Sequence, residues 1–193
     1  MSETSSDQPP KLTRRQRLLG LLPLVFFILH ASYYWQVGGL PHLLWMCNIG
    51  NLVLAIGMFL SQPTIIRVAV IWFIPGLPLW LWFVVKQGGW ILTSFLPHVG
   101  GLIVGLIALR RVRASRWTWL HGFAWYLFVQ EICRLFTPAE LNVNVSHTIY
   151  GGFETMFSAY WQFWIAMSLL VAVGLWLVGL GLLKLFPPAS ASH

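Results

Sequence analysis

Six long apolar runs, separated mostly by short polar connections, dominate the chain. Each run is close to the ~20 residues that an α-helix needs to cross a bilayer. The runs are continuously apolar rather than alternating, which favours helices over the strands of a membrane barrel. The pattern therefore predicts an all-α, polytopic integral membrane bundle of six transmembrane helices. We place these helices at residues 18–36, 42–61, 64–85, 89–109, 117–136 and 158–186.

The two ends of the chain are polar. Residues 1–17 are predicted to be a disordered cytoplasmic tail, and residues 187–193 a short second one. The basic stretch before the first apolar run makes this region resemble a secretory signal. The run continues through Tyr33, Tyr34 and Trp35, however, and no A-x-A cleavage site follows. For these two reasons we expect the first helix to be retained. Its cleavage would leave five spans with unchanged orientation.

The overall composition excludes a soluble domain. Of the 193 residues, 58% are hydrophobic and only 9% are charged, whereas a soluble domain has roughly 25% charged residues. Twelve tryptophans and five tyrosines suit anchoring at the membrane interface, because their amphipathic rings favour the headgroup layer. Cys47 and Cys133 both lie in apolar runs, so the sequence predicts no disulfide framework.

The basic residues lie mostly on one side of the predicted membrane. Of the 12 Lys and Arg residues, all except Lys86 and Arg134 fall in the tails, in the two loops on that side, or near the ends of the spans next to them. Positively charged loops face the cytoplasm. We therefore expect both termini to be cytoplasmic in the plasma (inner) membrane, as an even number of spans requires. The net charge of +7 is then explained by the orientation of the chain in the membrane and by contact with anionic lipid headgroups. It gives no reason to expect binding of nucleic acid.

The polar residues within the spans fall almost entirely in the predicted outer half. Residues 41–57, PHLLWMCNIGNLVLAIG, show the pattern within one predicted helix. A charge at mid-membrane costs ~2.5–3.5 kcal/mol on insertion scales, and polar groups there face one another rather than lipid. We therefore predict one polar cavity open to the outside. Its candidate residues are His30, His42, Cys47, Asn48, Asn51, Ser94, His98, Glu131, Arg134 and His147.

A thiol and an imidazole at similar depth suit nucleophilic catalysis. His98 would remove the proton of Cys47, and the thiolate would attack an acyl carbon. Asn48, Asn51 or Ser94 could orient the base or stabilise an oxyanion. A pocket at this depth meets the ester bonds of glycerolipids, so the reaction class is lipid-acyl hydrolysis or acyl transfer.

Other interpretations stay open. His30, His42, His98, His147 and Glu131 could supply ligands for zinc or iron, although none shows a metal-binding spacing. Glu131 and Arg134 could simply pair at i,i+3, and the asparagines could bond to neighbouring helices. A permeation path lacks polar residues in the inner half. A non-enzymatic ligand binder, carrier subunit or scaffold is the main alternative, and no cofactor motif is present.

Four segments resemble YwaF-type integral membrane proteins. LPHLLWMCNIGNLVLAIGMFL resembles that family's L-P-x-x-x-C helix, and TSFLPHVGGLIVGLIAL its aromatic-x-x-His helix. LNVNVSHTIYGG and YWQFWIAMSLLVAVGL are similar to its last loop and final span. The family more distantly resembles the androgen-induced-protein group of intramembrane lipid hydrolases and acyltransferases. The resemblance implies a six-helix fold with Cys47 as nucleophile and His98 as base.

Overall fold

The computed structural model describes residues 11–87 and 91–188. Residues 1–10 of the predicted first tail and 189–193 of the second lie outside the described residues. The same holds for residues 89 and 90 of the predicted fourth span. The described parts of the chain are helical and contain no β-strand, which confirms the all-α class.

Eight α-helices follow one another in the described parts of the chain. They are α1 (Arg14–Leu18), α2 (Leu21–Gln36), α3 (Met46–Phe59), α4 (Pro63–Gln87), α5 (Leu92–Phe95), α6 (Gly101–Val112), α7 (Thr118–Phe136) and α8 (Tyr160–Leu185). Short 3-10 turns occur at Leu40–Leu44, Ala139–Leu141 and Val143–Val145, and one π-turn occurs at Leu96–Gly100.

Four helical stretches in the described residues are long and apolar enough to cross a membrane. They are Arg14–Gln36, Pro63–Lys86, Leu92–Val112 and Tyr160–Leu185. The other two predicted spans are also helical but differ from expectation. The helix α3 has 14 residues, which at 1.5 Å per residue is about 21 Å, and α7 has 19 residues but carries several polar side chains.

Local sequence explains where the first and third helices begin. Thr13 caps α1, because its side chain accepts a hydrogen bond from the Gln16 N–H while the Gln16 side chain bonds back to Thr13. Residues 14–17 of the predicted tail are therefore helical. Trp45 has extended backbone angles (φ −54°, ψ 134°), which separate the Leu40–Leu44 turn from α3 and shorten the predicted second span.

The helix α4 is the centre of the bundle and packs against α3, α6, α7 and α8. Its side chains Ile66, Val70 and Phe73 are fully or almost fully buried between α3 and α6. Pro75 and Pro78 lie inside α4 without ending it. A second, smaller apolar cluster joins Tyr126, Val129 and Cys133 of α7 to Met46 and Val143.

One end of the bundle is closed by arginine side chains that bind carbonyl oxygens. Arg17 donates to the carbonyl of Phe59 at the end of α3 (2.8 Å), and Arg67 donates to Val112 and Arg113 at the end of α6 (both 2.7 Å). Cationic side chains are favourable there because the last carbonyls of a helix carry partial negative charge. The Ala114 N–H also bonds to the carbonyl of Phe186 (2.9 Å). The basic loops and both ends of the membrane domain therefore meet at one end.

Gly101 allows the closest approach of α6 to α3. A Cβ atom at Gly101 would collide with the Asn51 amide. We predict that Gly101→Ala destabilises the protein by about 1–3 kcal/mol, because overpacking in a tight core forces its neighbours to move. Thermal unfolding in detergent, followed by circular dichroism, measures the effect.

The control for this prediction is Gly174→Ala in α8, since a Cβ there meets nothing within 4 Å. It should be neutral or slightly stabilising because alanine is the better helix former. Equal unfolding temperatures for Gly101→Ala and the unsubstituted protein would contradict the close packing of α3 and α6.

Candidate functional site

The candidate side chains form two groups at the end of the bundle opposite the arginine contacts. The first, which we call the histidine cluster, has its residues in α2, the Leu40–Leu44 turn, α3, α5 and the π-turn. It contains His30, His42, Cys47, Asn48, Asn51, Ser94 and His98. The second, the loop pocket, lies between the end of α7, the following loop and the start of α8 and includes Glu131, Arg134 and His147. The loop pocket contains no side chain of the histidine cluster. The sequence predicted one shared cavity, and the structure divides its residues between two places.

The π-turn that carries His98 follows from Pro97. Proline has no N–H to donate to the carbonyl of Thr93, four residues earlier, so the regular helical pairing is interrupted at this position. In the next turn the N–H of Gly101 bonds to the carbonyl of Leu96, five residues earlier, and the carbonyl of Pro97 accepts from Asn51 instead. Such π-turns occur often at functional sites. The wider turn brings the carbonyl of Pro97 toward α3 and buries the side chain of His98.

The ring of His98 is fixed on two sides. Its Nδ1 lies 2.7 Å from the carbonyl oxygen of Ser94, which can only accept, so Nδ1 carries the proton. The ring stacks on Trp80 with centroids 5.1 Å apart and an angle of 18° between the planes. Trp80 is held in turn, because its indole N–H donates to the Ser94 hydroxyl (2.8 Å). In neutral His98 the other nitrogen, Nε2, is then an acceptor, and it has no hydrogen-bond partner among the described residues.

Asn51 connects the backbone at Cys47 to the backbone beside His98. Its Nδ2 donates to the carbonyls of Cys47 (3.0 Å) and Pro97 (3.1 Å), and its side chain is fully buried. Both amide hydrogens are used, so Asn51 has none left to stabilise an oxyanion. Its Oδ1 lies against Gly101 and has no partner among residues 11–87 and 91–188.

The half-buried Cys47 faces α2 and α4. Its Cβ lies 3.4 Å from the position a Cβ would take at Gly76, one helical turn before Trp80. Its thiol interacts electrostatically with Tyr34, and its Sγ lies 3.9 Å from Oδ1 of Asn48. No hydrogen bond joins Cys47 to His98 in the described structure. Asn51 therefore links the backbone at the predicted nucleophile, Cys47, to the backbone beside the predicted base, His98, but the two side chains are not hydrogen-bonded to each other in the described structure.

The other two histidines of the cluster pack against tyrosine. Nδ1 of His30 lies 3.4 Å from the Thr93 hydroxyl, and its ring lies 4.6 Å from that of Tyr34. Tyr34 also contacts His42, with centroids 5.4 Å apart. His42 accepts the indole N–H of Trp45 (3.2 Å), and its carbonyl accepts from Asn48 (2.9 Å). His42 and Asn48 therefore hold the turn before α3 in place.

The possible metal ligands do not converge. His147 and Glu131 lie at the loop pocket, away from the histidine cluster. Across the described ranges, no three His, Cys, Asp or Glu side chains come together in a way that could hold a metal ion. Among the histidines that the structure describes, only His30 and His98 are buried, and they are close enough to interact electrostatically.

Asn144 joins the loop to the start of α3. Its Oδ1 accepts the N–H of Met46 (3.2 Å), and its Nδ2 donates to the carbonyl of Leu44 (2.7 Å) and contacts the sulfur of Cys133 (3.2 Å). Gln130 donates to the Asn144 carbonyl (3.1 Å) and accepts the indole N–H of Trp164 (2.8 Å). This network ties α3, α7, α8 and the loop together.

At the loop pocket, Glu131 and Arg134 form the ion pair that their i,i+3 spacing predicts, at 2.8 Å. Arg134 also donates to the carbonyl of Ser146 (3.1 Å) and to the Tyr160 hydroxyl (3.2 Å), and it lies over the Tyr160 ring. His147 shares a hydrogen bond with Thr137 (3.1 Å). These groups border a pocket of about 440 Å³.

Sequence reasoning missed several residues that shape these sites. Tyr34 lies four residues after His30, and Trp80 four after Gly76, so helical spacing alone places each pair on one face. Asn144 carried no such signal, because its partner Met46 is 98 residues away.

Comparison with known protein families, with characterised proteins and with solved structures gives no match to this chain.

We predict that Asn144→Gly destabilises the protein by about 3 kcal/mol, because three contacts are lost and each hydrogen bond contributes roughly 1 kcal/mol. Glycine keeps the left-handed backbone (φ 52°) without strain. Asn144→Ala should cost about 1 kcal/mol more, because a Cβ is unfavourable at positive φ. Thermal unfolding in detergent checks both values.

The control for this prediction is Asn142→Gly. Asn142 also has positive φ (42°), but its side chain bonds only within the loop, to His147 and Thr148. Asn142 also makes three hydrogen bonds, but two of them are exposed to solvent, whereas Asn144 is buried. Water can replace lost bonds at an exposed site, so Asn142→Gly should be the milder change. Equal losses for the two glycine variants would contradict the role of Asn144 in joining the loop to α3.

Proposed function

We propose that the chain is a multi-pass protein of the plasma membrane with six spans and both termini in the cytoplasm. The four long apolar helices support the membrane location. The helices α3 and α7 pack against α4, and lipid leaves no alternative to helix for the backbone of such segments. The Leu40–Leu44 turn directly precedes the short α3 and adds to the length of chain that crosses the membrane there. The clustering of the basic loops at one end supports the orientation.

Site-directed labelling tests this topology. We predict that Glu140→Cys, in the loop after α7, reacts with a membrane-impermeant maleimide in intact cells. Ser2→Cys, in the N-terminal tail, should react only after the membrane is permeabilised. The unsubstituted protein is the control, because Cys133 is buried and Cys47 half-buried. Labelling of both new cysteines from the same side would contradict the five spans that we place between Ser2 and Glu140.

For the activity, we propose lipid-acyl hydrolysis or acyl transfer with Cys47 as nucleophile and His98 as base. The observation that carries this proposal is the hydrogen bond between His98 Nδ1 and the Ser94 carbonyl. It selects the tautomer in which Nε2 can accept a proton, as an orienting third group does in other nucleophile–base pairs. The resemblance to YwaF-type proteins, which pointed to the same pair, is in keeping with this assignment.

The proposed reaction proceeds in two steps. Nε2 of His98 accepts the thiol proton, the sulfur of Cys47 attacks the ester carbon, and the lipid alcohol leaves with the proton from His98. Water, or the hydroxyl of a second lipid, then attacks the thioester while His98 accepts its proton. The bond from carbon to sulfur breaks, His98 returns the proton to the sulfur of Cys47, and a fatty acid or a new ester is released. The remaining amide hydrogen of Asn48 and the Ser94 hydroxyl are the donors available to an oxyanion.

The thiol and the imidazole have to come closer than they are without substrate. Hydrogen bonds between catalytic groups are often long in the free enzyme and tighten only in the substrate complex. Cys47 lies near the start of α3, and a Cβ at Gly76 would only just contact it. A lipid chain that enters beside Gly76 could therefore turn the thiol toward His98.

A non-enzymatic membrane protein is the second candidate, and a specific observation favours it. The amide groups of Asn48, Asn51 and Asn144 all donate to backbone carbonyls. Interhelical bonds of this kind stabilise membrane bundles without any catalytic role. In this alternative the histidine cluster fixes the π-turn and binds no substrate.

A covalent-intermediate assay separates the two candidates. The purified protein in lipid nanodiscs is incubated with a phospholipid that carries an alkyne on its acyl chain. We predict a hydroxylamine-sensitive acyl label on Cys47, which Cys47→Ala abolishes and Cys133→Ala retains. His98→Gln should slow labelling by about 10²-fold or more, as for loss of a general base.

Unfolding temperatures confirm that each variant is folded before its labelling is compared. Label that persists in Cys47→Ala would exclude this nucleophile. An unlabelled but folded parent protein would favour the non-enzymatic candidate.

A further inference from the structure

The loop pocket offers groups of both charges beside aromatic rings. Arg134 and Glu131 lie on its wall together with Tyr160, Trp161 and Trp164. Its volume of about 440 Å³ lies within the range of small-ligand sites. The pocket takes no part in the acyl transfer proposed above, so its role is a separate question.

The walls of the pocket are held before any ligand arrives. The Tyr160 hydroxyl donates to the carbonyl of Val145 (3.0 Å) and accepts from Arg134. Trp164 is fixed through Gln130 to Asn144. A preformed site loses less conformational entropy on binding, so this arrangement favours the binding of a specific ligand over non-specific binding.

Several polar groups in the pocket still lack partners. Ser146 is fully buried and lines the pocket, yet its hydroxyl has no hydrogen-bond partner in the described part of the chain. Leaving a buried hydroxyl unpaired is unfavourable. The Glu131 Oε1 accepts from Arg134, whereas its Oε2 bonds to no described residue. Arg134 uses three of the five N–H groups of its guanidinium.

These free groups match a ligand that carries a phosphate and an alkylammonium group. The remaining Arg134 hydrogens can donate to phosphate oxygens. The free oxygen of Glu131 and the faces of the tryptophans attract an ammonium group, and aromatic rings are the usual walls of quaternary-ammonium sites. A purely anionic ligand would leave the carboxylate facing a like charge.

The position of the pocket indicates where such a ligand comes from. It lies where α7 ends and α8 begins, and 61% of the Trp161 surface is exposed there. Tryptophan and tyrosine at the ends of membrane helices lie at the level of the lipid headgroups. We propose that the loop pocket binds the zwitterionic headgroup of a phosphocholine-type phospholipid.

Titration of the purified full-length protein in maltoside detergent tests this proposal. The probes are dihexanoyl phosphocholine and dihexanoyl phosphoglycerol, both below their micelle concentrations, and glycerophosphocholine, with binding measured by calorimetry. We expect dihexanoyl phosphocholine to bind at least tenfold more tightly than the phosphoglycerol lipid. Glycerophosphocholine, which has the headgroup without chains, should bind more weakly than the lipid.

Two variants address the ammonium side of the pocket. Glu131→Gln and Trp161→Ala should each weaken phosphocholine binding roughly tenfold, because each removes one attraction for the cation. Both side chains are largely exposed, so the fold should survive, and unfolding temperatures verify this. Trp35→Ala is the matched control: Trp35 is 73% exposed at the end of α2 and does not line the pocket.

Three results would overturn the proposal. Equal affinity for phosphocholine and phosphoglycerol lipids, or unchanged affinity in Glu131→Gln, would show that the pocket recognises no ammonium group. Glycerophosphocholine binding as tightly as the lipid would make the ligand a soluble zwitterion instead. None of these outcomes bears on acyl labelling at Cys47, so the two proposals fail separately.

Discussion

The amide of Asn51 bridges two backbones that would otherwise be held together only by apolar contact. It donates to the carbonyls of Cys47 and Pro97, and the second of these belongs to a π-turn in which the proline has disturbed regular pairing. In an apolar surrounding an unpaired carbonyl is costly, so the π-turn and α3 stabilise each other. The position of His98 beside the turn and the depth of Cys47 both depend on this contact, which in turn needs a glycine at position 101.

The same constraint limits what the histidine cluster can do chemically. Because Asn51 has used both amide hydrogens, it positions the site but cannot stabilise an oxyanion. Trp80 and Ser94 together fix the ring of His98, which leaves one nitrogen as an acceptor. What remains for chemistry is one thiol, one imidazole nitrogen and two potential donors, on Asn48 and Ser94. This is a small set, but it is the set that acyl transfer requires.

The hydropathy of the sequence predicted much of the fold but only part of the candidate site. Long apolar runs predicted the six helical segments, and the i,i+3 spacing predicted the pair of Glu131 and Arg134. The length of α3 was overestimated, because a window of apolar residues does not register that Trp45 adopts extended angles. Similar depth suggested that all polar residues meet in one cavity. The depth of a residue does not specify the direction in which its side chain leaves the helix. The helices pack around α4 so that the histidine cluster and the loop pocket are separate.

At both ends of the bundle, side chains donate hydrogen bonds to backbone carbonyls, but the donor side chains differ. At the basic end, Arg17 and Arg67 satisfy the last carbonyls of α3 and α6 from the surface, where water completes their solvation. At the other end the carbonyls are met by buried asparagine amides, and histidines, tyrosines and tryptophans pack around them. Closing helix ends requires only a few donors. The second end also carries groups that have no hydrogen-bond partner among the described residues, Nε2 of His98 and the hydroxyl of Ser146. These groups equip that end to bind a ligand.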